Sequence, residues 1–114
     1  AFFDKVIARI FDEFNAAHAT QLVPGPYTLL DGYVGKGYGI AYPESMAVLA
    51  SVARKAGLVL DPVYSSKALY GVVHAAATGK IALAEPACFV HTGGIYGTLA
   101  QGEGALAAAN GRGQ

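Results

Sequence analysis

The sequence has few charged residues and little sulfur. Its single cysteine, Cys88, leaves no disulfide possible within one chain, which is typical of a reducing compartment such as the cytoplasm. Cys88 lies in the apolar run 87–90, which predicts a buried, unreactive thiol. Eight basic and eight acidic residues are scattered singly, so no basic stripe is available for nucleic acid. No apolar run approaches the roughly 20 residues of a membrane span, and a cytoplasmic protein is expected.

The low charge content also bears on assembly. Charged residues make up 14% of the chain and hydrophobic residues 54%, whereas an average soluble domain is roughly a quarter charged. A chain of 114 residues leaves a large share of its surface exposed. Polar groups are too few to cover an isolated domain of this size, so we expect a large apolar interface with a partner chain or a further domain.

Four segments carry helix signals. The first has apolar residues at three- and four-residue spacing, which predicts an amphipathic helix. A proline at the first position and a glycine stop bound the second, and serine and glycine bound the third. The helices are predicted from Phe2 to His18, from Pro43 to a stop at Gly57, from a cap at Ser65 or Ser66 to Gly79, and from about Ile95 to Ala100.

Short apolar runs alternate with these helices and predict three strands, at residues 27–30, 58–60 and 87–90. Alternating helices and strands are typical of α/β folds with a mostly parallel sheet buried on both faces. Three strands make a narrow sheet with exposed edges, which indicates a piece of a larger sheet. Residues 102–114, rich in glycine and alanine, are predicted to form a flexible tail.

Two of the predicted strands end where helices begin, which is where open α/β sheets bind ligands. The segment 61–67 follows one strand and the segment 91–94 follows another. In the second segment, Thr92 and the paired glycines suit close approach of backbone amides to a polar or anionic ligand. A tight strand-to-helix turn would also explain these glycines, so both interpretations stay open.

Other candidate side chains also have two interpretations. Tyr64 and Ser65 either face a ligand or are an interfacial aromatic residue and a helix cap. Tyr38, in the glycine-rich loop 32–39, either packs on a ligand or is an exposed tether. Lys67 offers an amine, but a lysine at a helix start beside Asp61 is usually structural. No metal site is predicted, because His18 and His74 have no cysteine or carboxylate at metal-ligand spacing.

Three motifs together resemble one enzyme family. Residues 35–40 (GKGYGI), 61–68 (DPVYSSKA) and 91–94 (HTGG) match, in order and spacing, the C-terminal third of the D-cysteine desulfhydrase and 1-aminocyclopropane-1-carboxylate deaminase family. The resemblance covers roughly residues 31–100. It implies a tryptophan synthase β-like fold, which is fold type II of the enzymes that use pyridoxal 5′-phosphate. Residues 1–101 would then be the C-terminal portion of a large cofactor-binding domain, within a three-layer, mostly parallel sheet.

The resemblance also implies roles for single residues. Tyr38 and Tyr64 match two active-site tyrosines that flank substrate and cofactor, where a phenol serves in proton transfer or in attack on a ring. Thr92 matches the hydroxyl residue that bonds the pyridine nitrogen and leaves it largely unprotonated. Tyr64, Ser65, Gly93 and Gly94 are assigned with it to cofactor binding.

Two positions separate the branches of this family. Cyclopropane deaminases carry Glu at the position of Ser65 and Leu at the position of Thr92, and this sequence has neither. The resemblance therefore favours β-elimination from a D-amino acid such as D-cysteine, giving pyruvate, ammonia and sulfide, with 1-aminocyclopropane-1-carboxylate deamination as the alternative. Ala41 is a further departure, since the family commonly has proline there.

The family places its Schiff-base lysine and phosphate-binding loop far upstream, and Lys67 matches a structural lysine instead. We therefore expect this chain to be a fragment or one chain of a split lyase or deaminase, inactive alone. Its expected partners are the missing N-terminal part of the enzyme, a small amino-acid substrate and a second copy in a homo-oligomer. A non-catalytic ligand-binding or interaction module with the same fold is the other hypothesis.

Overall fold

A computed structural model describes residues 2–84 and 86–100. The helices in this part of the chain are α1 (Phe2–His18), α2 (Pro43–Ala56), α3 (Ser65–Ala77) and α4 (Ile95–Ala100), so all four predicted helices are confirmed. None of these helices combines the length and the apolar character needed to cross a membrane. The predicted tail 102–114 lies outside the described residues.

The ends of α2 follow from its sequence. Pro43 occupies the first turn, where its missing N–H removes no hydrogen bond. The Ser45 hydroxyl donates to the carbonyl of Tyr42 at 2.9 Å and accepts from the N–H of Tyr42 at 3.4 Å. At the other end Gly57 adopts a left-handed conformation with φ of 67°, and its N–H bonds to the carbonyl of Ala53 at 3.1 Å. The proline and glycine signals therefore predicted both ends correctly.

The three predicted strands are not formed in the described residues, where 27–30, 58–60 and 87–90 are irregular. A strand needs a neighbour to satisfy its backbone groups, and an apolar run alone does not supply one. Two carbonyl groups of the run 58–60 are instead contacted by side chains from later in the chain. Thr98 Oγ1 donates to the carbonyl of Leu60 at 2.7 Å, and His91 Nε2 lies 3.0 Å from the carbonyl oxygen of Val59. The sheet expected from the resemblance stays a proposal.

The buried core is small and sits where α2 packs on α3. Its apolar members are Leu49, Ala50, Leu60 and Ala75. The prediction that Cys88 is buried is wrong, because the irregular run 87–90 is covered on neither side and the thiol is exposed.

Large apolar side chains remain exposed, most visibly along α1. Phe2, Phe3, Ile10 and Phe14 are between 45% and 72% exposed, and α1 buries none of its residues. This exposure agrees with the shortage of charged residues in the sequence. The apolar interface that we expect from that shortage stays a prediction.

Candidate functional site

A groove of about 560 Å³ lies between the glycine-rich loop 32–39 and α3. Residues 28–30 and Phe3 of α1 also line it, and Gly71 of α3 contributes to its wall. A side chain at Gly71 would contact the ring of Tyr33 at 3.0 Å, so loop and helix are packed tightly at this point. The volume is in the range of small-molecule sites, roughly 300 to 1,000 Å³, and the lining is mainly apolar, as in such sites.

Tyr38 and Tyr64 line this groove together. Their ring centroids are 5.8 Å apart, with an angle of 66° between the ring planes. Both rings are open to the solvent that fills the groove, at 79% and 59% exposure. The structure therefore brings together the two tyrosines that sequence motifs 26 positions apart had singled out.

The contact between the two phenols affects their chemistry. A side-chain hydrogen bond with Tyr38 raises the pKa of Tyr64, and partial desolvation and the nearby Asp61 carboxylate act in the same direction. A tyrosine whose pKa lies above its ordinary value of 10.0 keeps its proton at neutral pH. The Tyr64 hydroxyl is therefore a weaker acid than an ordinary tyrosine and is protonated at neutral pH.

The loop that carries Tyr38 depends on glycine at position 35. Gly35 has φ of +75°, which side-chain-bearing residues rarely adopt. A Cβ there would also lie 2.7 Å from the ring of Tyr42. Tyr42 in turn donates its hydroxyl hydrogen to the carbonyl of Tyr33 at 2.9 Å, which closes the base of the loop.

A buried carboxylate organises the start of α3. Asp61 Oδ1 accepts from the N–H groups of Val63 (2.8 Å) and Tyr64 (2.7 Å), and Oδ2 accepts from the N–H (2.9 Å) and hydroxyl (2.5 Å) of Ser65. The Ser65 hydroxyl accepts from the Asp61 N–H at 2.7 Å. The prediction that Ser65 or Ser66 caps α3 is therefore wrong. Ser65 is the first helical residue, and the longer reach of Asp61 from outside the helix satisfies its free N–H groups.

The environment of Asp61 sets its charge. Burial acts to raise the pKa of this carboxyl group, which is 3% exposed. The Ser65 hydroxyl and three backbone N–H groups outweigh burial, because they donate to the ionised form, and the pKa lies below its ordinary value. Asp61 is therefore a carboxylate at neutral pH.

The segment 91–94 packs against this carboxylate. A Cβ at Gly94 would lie 2.6 Å from both Cβ and Oδ2 of Asp61, so only glycine allows this approach. Gly93 and Gly94 also have φ values of +98° and +107°. His91 Nδ1 accepts from the N–H of Gly93 at 3.0 Å, and its Nε2 faces the carbonyl of Val59, which requires the proton on Nε2. The conformation of the turn and its packing on Asp61 are thus enough to explain why both positions are glycine. A ligand bound at their backbone amides stays a prediction.

The predicted site residues fall into two adjoining groups. Tyr38 and Tyr64 line the groove, whereas Ser65 and Gly94 meet at Asp61, and the exposed Thr92 and Gly93 lie on the segment beside it. The peptide bond between Tyr64 and Ser65 joins the groups. The hydrogen bonds that the structure gives the Ser65 hydroxyl both go to Asp61.

Sequence reasoning did not select Asp61 as a site residue. Its signal was present, because an aspartate a few residues before a helix start commonly accepts hydrogen bonds from the backbone that follows it. Here the carboxylate fixes the backbone of Tyr64 and the approach of Gly94 at the same time. It is therefore the residue through which the two groups are connected.

Comparisons with known proteins agree with the motifs. The chain is similar to a Thermotoga maritima protein with a provisional 1-aminocyclopropane-1-carboxylate deaminase name, with 37% identity over 66% of this chain and 23% of that protein. It is also similar to proteins named D-cysteine desulfhydrase from Serratia proteamaculans (39% identity, 60% of this chain, 21% of that protein) and Klebsiella pneumoniae (40%, 59% and 20%). No protein-family model and no solved structure matches the chain.

These relatives confirm the resemblance that the three motifs indicated, over about 60% of the chain. The chain spans about a fifth of the length of the curated relatives that it matches.

Proposed function

We propose, from this similarity to D-cysteine desulfhydrases and 1-aminocyclopropane-1-carboxylate deaminases, that the chain is part of a pyridoxal-phosphate-dependent lyase. The proposed reaction is β-elimination from a D-amino acid such as D-cysteine, giving pyruvate, ammonia and sulfide. The observation that carries this proposal is the pair of Tyr38 and Tyr64 on one groove, with Tyr64 followed in the chain by Ser65, which bonds the Asp61 carboxylate that Gly94 approaches. The three-layer sheet of fold type II belongs to the same proposal.

The residues fit one side of pyridoxal phosphate. Thr92 would bond the ring nitrogen, with Gly93 and Gly94 beside it because they have no side chains to obstruct a flat ring. Tyr64 would lie on the substrate side, and Ser65 would support the same wall. When bound, the cofactor supplies an electron sink that allows bonds at the amino-acid Cα and Cβ to break.

The other side of the cofactor is proposed to come from elsewhere. Lys67 lines the groove, but its amine donates to the carbonyls of Val34 and Gly37 and is 6% exposed. An amine held in this way is unsuited to form the covalent link to the cofactor. We therefore propose that this lysine and the phosphate-binding loop lie in another part of the complete protein, and that residues 1–114 alone are inactive.

The tyrosine pair can move a proton in this reaction. The elimination removes a proton from Cα and returns one to the departing sulfur, so it needs a donor that is protonated at neutral pH. Tyr64 is protonated at neutral pH and is available for that role, and the Tyr38 ring beside it limits where its hydroxyl can lie. The apolar walls of the groove favour exclusion of water around the reacting atoms.

Position 92 supports elimination over ring opening. A threonine hydroxyl at the ring nitrogen leaves this nitrogen largely unprotonated, whereas a carboxylate would keep it protonated and strengthen the electron sink. A thiol is a good leaving group, so a weaker sink is enough for loss of sulfide. Thr92 and Ser65 therefore favour D-cysteine over 1-aminocyclopropane-1-carboxylate as substrate.

Removing the two hydroxyls tests the proposal. In the complete protein loaded with pyridoxal phosphate, Tyr64→Phe and Tyr38→Phe should each lower kcat for D-cysteine, with Tyr64→Phe falling about 10²- to 10⁴-fold, the usual contribution of a general acid. The cofactor absorbance should be unchanged. Tyr96→Phe is the matched control, because Tyr96 is 82% exposed and does not line the groove. Unchanged turnover in both groove variants would favour a ligand-binding or interaction module instead.

The proposal includes partners and a location. The substrate is a small amino acid, the rest of the enzyme covers the exposed apolar side chains of α1, and the complete protein forms a homo-oligomer in the cytoplasm. The apolar exposure of Phe2, Phe3 and Ile10 supports a covering partner. Light scattering of the complete protein tests the assembly, and a monomer that binds nothing through α1 would contradict it.

A further inference from the structure

Lys67 is a buried amine with well-defined partners. Its Nζ donates to the carbonyl of Val34 at 2.7 Å and lies 3.3 Å from the carbonyl oxygen of Gly37. The same amine is 5.6 Å from the centroid of the Tyr42 ring, and the residue is 6% exposed. Burying a lysine is unfavourable unless its amine is partnered, so these contacts account for its position.

The partners of Lys67 belong to the loop that carries Tyr38. Val34 precedes Tyr38 by four positions and Gly37 by one, so the amine bonds two carbonyls of the stretch that leads into Tyr38. Lys67 itself lies in the first turn of α3, three positions after Tyr64. Its side chain therefore joins the stretch before Tyr38 to the helix that Tyr64 precedes, in addition to the contact of Tyr33 with His74.

Tyr33 anchors the base of the loop to α3, with its hydroxyl 3.0 Å from His74 Nδ1, whereas the tip of the loop is rich in glycine. The tip contains Gly35, Gly37 and Gly39, and glycine loses more backbone freedom on folding than any other residue. A backbone hydrogen bond crosses it, from the N–H of Ile40 to the carbonyl of Gly37 at 3.4 Å. The two bonds from Lys67 add contacts from α3 to this part of the loop.

We propose that Lys67 is a positioning residue that holds the glycine-rich loop against α3 and so keeps Tyr38 in contact with Tyr64. Its relevance to catalysis rests on the proposed function, but the placement of the two rings does not. Because Lys67 acts through the loop carbonyls, it touches no reacting atom. Its loss separates the tyrosines without removing either hydroxyl.

The test measures the two rings directly. In the complete protein labelled with ¹³Cζ-tyrosine, the titration of Tyr64 is followed by NMR, with resonances assigned from tyrosine-to-phenylalanine variants. Lys67→Met removes the donors and keeps much of the side-chain volume. Lys36→Met is the matched control, since Lys36 lies on the same loop and is exposed.

Lys67→Met should move the pKa of Tyr64 back toward the ordinary tyrosine value, in the same direction as Tyr38→Phe, because both changes take the Tyr38 hydroxyl away from Tyr64. In the Tyr38→Phe background, Lys67→Met should cause no further change. Lys36→Met should leave the titration as it is. A folded Lys67→Met protein with an unchanged Tyr64 titration overturns the proposal.

A second measurement needs no variant. The unsubstituted protein is labelled with ¹⁵N-lysine. The Nζ protons of Lys67 should exchange slowly with solvent and show NMR contacts to residues 34–38. Fast exchange without such contacts overturns the proposal, and this result does not depend on whether Lys67→Met folds. Turnover of D-cysteine is measured in a separate assay. If the protein degrades D-cysteine, Lys67→Met should lower kcat about 10- to 100-fold, as misplacement of a reacting group does. Absence of turnover in the unsubstituted enzyme contradicts the proposed function and leaves the NMR result as the test of Lys67.

Discussion

At the scale of single residues, the site depends on groups that position the tyrosines rather than on the tyrosines alone. Asp61 fixes the backbone of Tyr64 and the approach of Gly94, and Lys67 fixes the loop of Tyr38. The sequence motifs selected the tyrosines because their chemistry is visible in the residue type. The local bonds of Asp61 to the helix start were predictable from its position before α3, but its contact with Gly94 was not, because the two residues are far apart in the sequence.

Asp61 should make the stability of the protein depend on acid pH. Its pKa is lowered in the folded protein, so its contribution is present above the unfolded value of about 3.9 and is lost as the pH falls through the folded value. Asp61→Asn should therefore lower the free energy of unfolding at pH 7 by about 1 to 3 kcal/mol, because the amide NH₂ group replaces an acceptor. The variant should also flatten the acid side of the profile.

Urea unfolding of both proteins between pH 7 and pH 2 measures this effect. Asp12→Asn is the control, since Asp12 is exposed and lies on α1. Parallel stability profiles for the Asp61→Asn variant and the unsubstituted protein would show that the carboxylate does not carry the pH dependence.

At the scale of elements, local sequence signals predicted the helices correctly. They did not predict that the apolar runs between the helices are irregular. A helix satisfies its own backbone, so the proline at the first position of α2 and the glycine after its last residue were enough to place both ends. A strand is completed by a neighbour, and the runs 27–30, 58–60 and 87–90 have none in the described residues. Apolar character alone could not distinguish a paired strand from an irregular segment.

The segment 91–94 is an element whose docking can be tested with two adjacent glycines. Both have positive φ, but only Gly94 meets Asp61, whereas a Cβ on Gly93 has nothing within 4 Å. Gly93→Ala should cost about 1 to 2 kcal/mol through backbone strain alone. Gly94→Ala should cost about 1 to 3 kcal/mol more, because the new methyl group overlaps the carboxylate.

Thermal or urea unfolding of the two alanine variants gives the difference between them. The overlap at Gly94 should also move the segment, so the ¹⁵N resonances of Ser65 and Tyr64 should shift in Gly94→Ala and stay in place in Gly93→Ala. Equal losses of stability in the two variants would contradict the docking of this segment on Asp61.

At the scale of the whole molecule, the groove is assembled from segments that are far apart in sequence. Phe3 of α1, Tyr38 of the loop and Tyr64, which directly precedes α3, all line it. The family resemblance implied that the two tyrosines share one site, but it gave no reason to place α1 at the same groove. The shortage of charge predicted exposed apolar surface, which α1 displays, although it could not say which element would carry it.

The most direct test of the central claim is turnover by the complete protein that contains this sequence, purified with pyridoxal phosphate. D-cysteine, L-cysteine and 1-aminocyclopropane-1-carboxylate are supplied in parallel, and pyruvate, sulfide and 2-oxobutanoate are measured. We predict pyruvate and sulfide in equal amounts from D-cysteine, with loss of this activity in Tyr64→Phe. Cofactor binding without pyruvate or sulfide from D-cysteine would contradict the account.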